Sequence, residues 1–122
     1  MRTVLSISLA FALALACDNG AGQGIAQIGA NDCGVWVKAR KENRASLLEA
    51  HLIGLLDGMA AGRAIEIWQA QGVKMSVEQA YLWMDNYCQS NPLSHVITGA
   101  HRLANERTNG AFERRGKMLP KE

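Results

Sequence analysis

Val77, Ala80, Tyr81, Met84, Tyr87 and Cys88 fall on one side of a 3.6-residue turn, and this rhythm limits what the chain can fold into more than any other feature. The same stripe recurs upstream in Leu48, Leu52, Leu55 and Met59, and downstream in Val96, Ile97, Ala100, Leu103 and Ala104, with Leu93 leading it. A strand would need alternation of period two, and none is present. The Asn109-Gly110 pair, a strong hairpin signal between apolar runs, stands instead in a polar stretch. The pattern predicts an all-α fold, a small bundle of about four helices.

Helix boundaries follow from capping chemistry. Asp32 is a suitable N-cap for a helix over Cys33–Lys41 that points Trp36 inward. The longest helical signal runs from Ala45 to Gln71, with Gly72 as its terminator. Ser76 with Gln79 three residues on forms a capping box that starts the next helix. Asn91-Pro92 closes that helix and opens the last, which ends near Arg107. Residues 108–122 read as a polar, basic tail, so the helical domain is expected over 32–107.

The first residues read as an address. Arg2 precedes an apolar run from Val4 to Ala16 that ends in Ala14-Leu15-Ala16. The run is shorter than the ~20 residues needed to span a bilayer, and a basic start with an A-x-A end marks a secretory signal peptide over residues 1–16. No second run of spanning length follows, and export to the bacterial periplasm is expected. Cys17 lies directly after the cut. It is either the new N-terminus or, if lipid is attached first, an anchor. Residues 17–31 are rich in Gly, Ala, Gln and Asn and would serve as a flexible lead-in or tether.

With Cys17 set aside for processing, Cys33 and Cys88 remain as a pair in an oxidising compartment, where a disulfide is expected. Closing a loop of about 55 residues gives roughly 4 kcal/mol in the chain-entropy account, which a small helical core needs. A Cys-His metal site would need C-x-x-C or H-x-x-x-H spacing, and neither occurs. The formal charge of +2 is too small and too evenly spread for a nucleic-acid footprint. No nucleotide loop, metalloprotease motif or nucleophile elbow is present, and His51, His95 and His101 lack a shared spacing, so neither a catalytic site nor a cofactor is expected.

Two features point to contact with other proteins. Gly54, Gly58 and Gly62 recur every four residues on one helix face, each costing about 1 kcal/mol relative to Ala. Close packing of another helix is the expected compensation, and a groove for a partner's loop is the alternative. Leu82 and Trp83 fall off the apolar stripe of their helix, and with Trp68 they are candidates for a partner-binding surface.

A cysteine near the mature N-terminus and a middle amphipathic helix are followed by Tyr87-Cys88-Gln89-Ser90-Asn91-Pro92 and a last helix. In this the chain resembles the HdeA/HdeB family of small periplasmic acid-stress chaperones, over roughly residues 32–106. The resemblance implies an all-helical fold, a Cys33–Cys88 disulfide, a homodimer at neutral pH, no cofactor, and clients bound through apolar surface exposed by acid. The periplasmic immunity proteins that inhibit secreted peptidoglycan-cleaving effectors share the export signal and the cysteine pair. Three readings are therefore carried forward: a chaperone, a specific inhibitor, and an accessory of an envelope machine.

Overall fold

The computed structural model describes residues 31–117, and within them the chain forms five helices and no strand. They are α1 (Cys33–Lys41), α2 (Ser46–Arg63), α3 (Val77–Ser90), α4 (Val96–Arg107) and α5 (Ala111–Lys117), with a single 3-10 turn at Ala70–Gly72. The signal peptide, Cys17 and the lead-in up to residue 30 lie outside the described residues, as does the end of the tail from 118. No helix among the described residues is long and apolar enough to cross a membrane.

Local chemistry sets the helix starts as the sequence predicts. The Asp32 carboxylate accepts from the Val35 amide at 2.7 Å and caps α1. The Ser76–Gln79 capping box forms in both directions, satisfying two amides at the start of α3. Cys33 and Cys88 are joined, with Cα atoms 4.8 Å apart, and tie the first residue of α1 to the last turn of α3. Beside this bond, Cys33 N–H donates to the Ser94 carbonyl and Val96 N–H to that of Asn31, both at 2.9 Å.

The α4 helix is the organising element. It packs on α2, α3 and α5, while α1 packs on α3. Its stripe of Val96, Ala100, Leu103 and Ala104 is buried, together with Trp36, Leu52, Leu56, Ile67, Met84 and Phe112. Gly99 allows α4 to approach α3 closely, because a Cβ there would lie 2.7 Å from both Met84 Sδ and Tyr87 Cδ1.

The chain departs from the sequence reading in three places. First, residues 108–117 are not a loose tail. Phe112 is buried, the Thr108 hydroxyl accepts from the Phe112 amide at 3.0 Å, and left-handed Asn109 and Gly110 turn the chain into α5. A fifth helix results, and the helical domain extends to residue 117.

Second, α2 stops at Arg63 instead of running to Gln71. Ala64 adopts the left-handed conformation, which a residue with a Cβ takes only at a cost of about 1 kcal/mol or more. Distant arginines fix this turn. Arg115 donates to the carbonyls of Arg63 and Ala64, and Arg107 donates to those of Ile67, Trp68 and Val73. Ile67, just past this turn, lies fully buried in the core.

Third, α4 begins at Val96, four residues past Pro92. Leu93, read as part of the apolar stripe, sits in the preceding turn and is 95% exposed.

Candidate functional site

The α2 helix breaks the usual rule that a surface helix turns charge to solvent. Only Leu52 and Leu56 of its eighteen residues are fully buried. Turning outward are Leu47, Ala50, Gly54, Gly58, Ala61 and Gly62, all exposed, with half-buried His51 beside them. The Leu47 side chain is 84% exposed. At a rise of about 1.5 Å per residue the face is roughly 22 Å long. It carries no Lys, Arg or Glu; Asp57 stands at its edge.

The three glycines do not have the expected role. A Cβ built at Gly54, Gly58 or Gly62 meets nothing within 4 Å, so no other helix of the described chain lies against them. The close approach in this fold is at Gly99 instead. The helix-propensity cost of the α2 glycines is thus uncompensated within the described residues, and what they provide is a smooth outer surface.

The aromatic candidates are engaged to different degrees. Trp68 is half-buried on the α2–α3 connection and donates its indole N–H to Asp57 Oδ1 at 2.7 Å. Trp83 is half-buried on α3, stacks on Tyr87 at 5.4 Å between ring centroids, and donates to Glu106 Oε2 of α4 at 3.3 Å. Leu82 alone of the three offers free apolar surface, at 59% exposure. The indole of Trp68 is tied to α2 and that of Trp83 to α4.

Trp36 completes a pattern that spacing alone does not reveal. Its indole donates to Asp85 Oδ1 at 2.7 Å, so each of the three indoles ends on a carboxylate. Asp85 also accepts from Arg40, at 2.9 Å to Nε and 2.8 Å to Nη2, and Arg40 reaches Glu49 as well. The guanidinium lies over the Trp36 and Tyr81 rings, at 6.0 and 5.7 Å. Asp85 above all holds Arg40 even more firmly protonated than usual, while burial and the Glu49 and Glu78 charges raise the Tyr81 phenol. One arginine thus joins α1, α2 and α3 through two carboxylates.

No family model, curated protein or solved structure matches this chain. The functional reading therefore rests on the molecule itself. Among the described residues no cluster of three or more His, Cys, Asp or Glu could hold a metal. His51 is half-buried on α2, His95 is the N-cap of α4, and His101 lies on the outer side of α4 against Phe112.

Proposed function

We propose that this chain is an exported, non-catalytic protein-binding protein that contacts its partners through the outward face of α2. The observation that carries this reading is the uncharged, small-residue surface from Leu47 to Gly62, which no other part of the described chain covers. Flat apolar surface of this kind costs free energy in water and favours association. The bond between Cys33 and Cys88 suits an oxidising compartment, in line with the expected signal peptide.

Within this class the leading reading is a periplasmic chaperone of the HdeA/HdeB kind. The helices are braced by carboxylates: Asp85 and Glu49 through Arg40, Asp57 through Trp68, and Glu106 through Trp83. Acid strong enough to protonate these acceptors removes the charge on which the braces depend. Without Arg2 the chain keeps twelve Lys and Arg and three His, and so approaches +15 once its carboxylates are neutral. Weakened braces and self-repulsion together would loosen the packing and widen the apolar surface.

A second reading, an immunity-type inhibitor of one secreted effector, draws on the braces that do not titrate. The disulfide and the carbonyls held by Arg107 and Arg115 keep their strength in acid and favour a rigid binder.

Gly58→Arg tests the class, because it puts a charge in the middle of the face with space around it. The chaperone reading expects the native protein to suppress aggregation of an acid-labile client at about pH 3. Gly58→Arg should lose that protection while melting no lower than the parent at neutral pH. Equal protection by the variant removes the α2 face from the function. A chain that keeps its near-UV circular dichroism in acid and protects no client shifts the reading to the inhibitor.

A further inference from the structure

Where α2, α4 and α5 meet, the structure forms a cleft of about 350 Å³ that takes no part in the proposed partner face. One wall is a face of α4 carrying Thr98, His101, Arg102 and Asn105. Arg63 from the last turn of α2 and Lys117 of α5 enter from the other sides, and Phe112 lies at the base. Among the described residues the only acid lining the cleft is Glu113, already paired with Lys117 at 2.9 Å.

Neither guanidinium forms an ion pair among the described residues, although the Arg63 charge helps, after Lys117, to hold the Glu113 carboxyl below its ordinary range. Arg102 makes one contact, over the Tyr87 ring at 5.7 Å. Arg63 donates to the Phe112 carbonyl at 2.5 Å and lies flat over the Phe112 ring at 3.9 Å. Gly116 makes this seat possible, since a Cβ there would fall 2.6 Å from Arg63 Nη1. α5 thus holds one arginine in a fixed pose; the Asn105 amide reaches Glu113 Oε2 only at 3.5 Å, and the Thr98 hydroxyl beside it has no acidic acceptor among the described residues. Burial, and then the Arg63 charge, lower the basicity of His101, which keeps the imidazole neutral at neutral pH.

We infer that this cleft binds the carboxylate of a small organic acid, with Arg63 and Arg102 on the oxygens and the body of the acid against the exposed His101 ring. Two guanidiniums on one cleft with a hydroxyl donor in its lining suit a carboxylate, and the volume falls in the range of small-molecule sites, larger than a bare inorganic anion fills. The acid is either a free metabolite or the C-terminal carboxylate of a peptide, since both carry this head group.

The test is an NMR titration of the full chain with 3-phenylpropionate, its amide, N-acetyl-Ala-Phe and inorganic phosphate. Expected are saturable shifts of the Arg102 and Asn105 amides with both carboxylates and none with the amide. The His101 pKa should rise in the complex, because a bound anion and a proton on His101 stabilise each other reciprocally. Arg102→Gln, on the exposed side of α4, should weaken binding about tenfold or more, the loss of one charge-assisted hydrogen bond, with the melting temperature unchanged. Gly116→Ala, which displaces the Arg63 guanidinium, should weaken it as well. Either order of affinity between the two carboxylates supports the site and identifies its source. Binding of the amide, equal affinity for inorganic phosphate, an Arg102→Gln variant that binds like the parent, or no saturable shift overturns the assignment.

Discussion

Gly99→Ala and Gly58→Ala are the same chemical change on two helices, and the structure assigns them opposite signs. Each gains up to about 1 kcal/mol of helix propensity. At Gly58 the new methyl meets nothing within 4 Å, so the gain stands and the variant should melt higher. At Gly99 the methyl would lie 2.7 Å from Met84 Sδ, 2.7 Å from Tyr87 Cδ1 and 2.8 Å from Met84 Cε. Normal carbon contacts are about 3.5–4.0 Å, so the neighbours must move by about 1 Å. Met84 is fully buried, and Tyr87 is held by its stack on Trp83 and by the hydrogen bond it shares with Ser94 at 2.6 Å. Overpacking of this kind costs about 1–3 kcal/mol, which after the propensity gain leaves a net loss of about 1 kcal/mol. For a domain of this size that is a fall of about 4–8 °C, against a similar rise for Gly58→Ala. Thermal unfolding followed by circular dichroism, on dilute protein with the disulfide intact, measures both. A Gly99→Ala variant melting at or above the parent would refute the close α3–α4 approach. A dilute Gly58→Ala variant melting lower would refute the open α2 face.

Three further outcomes are expected. Cys33→Ser or Cys88→Ser should lower the unfolding free energy by about 2–4 kcal/mol, read from urea denaturation, and non-reducing peptide mapping of the parent should recover the linked pair. Arg107→Lys should lower it by about 2 kcal/mol and speed amide exchange over residues 64–75, because a lysine cannot reproduce the fork that reaches Ile67, Trp68 and Val73; unchanged exchange there counts against the pinning. His101 is less basic in the folded protein than its ordinary value of 6.5, through burial and then Arg63. The unfolded chain therefore binds that proton first, and stability should fall as pH drops below 6.5 toward the lower folded value. His101→Gln should flatten the stability profile in that window, and an unaltered profile would rule out the contribution.

Where the sequence is legible, the information is local. Asp32 and the Ser76–Gln79 box mark their helix starts because capping involves neighbours within three residues. The Val77–Cys88 stripe gives buried Ala80, Met84, Tyr87 and Cys88 and leaves Leu82 outside, but its first member Val77 is itself exposed and Tyr81 only half-buried. Failures come where distant groups decide. Nothing near Ala64 stops a helix; arginines at 107 and 115 do, by taking the carbonyls that the helix would have used. Phe112 looks isolated in a basic stretch until α2 and α4 supply its pocket. The α2 glycines are visible as a pattern, but whether anything lies against them is a tertiary fact. The sequence signal for the cleft at α5 is equally faint: Phe112 and Gly116 share a helix face four residues apart, and only Arg63, far upstream, gives the pair a purpose.

The attachment of α1 has a consequence for the order of assembly. Nine residues are too few for a helix to persist alone in water, and α1 packs chiefly on α3, with its first residue bonded to Cys88. α3, α4 and α5, by contrast, follow one another in the chain and meet around α4 over shorter stretches of it. Collapse can therefore begin around α4 with α1 still searching, its Trp36 exposed and the Trp36 seat beside Asp85 empty. Closing the sulfur bridge converts that search into an encounter between tethered neighbours. Oxidation therefore fastens α1 in place, and a chain held reduced is expected to dock α1 and its tryptophan less firmly.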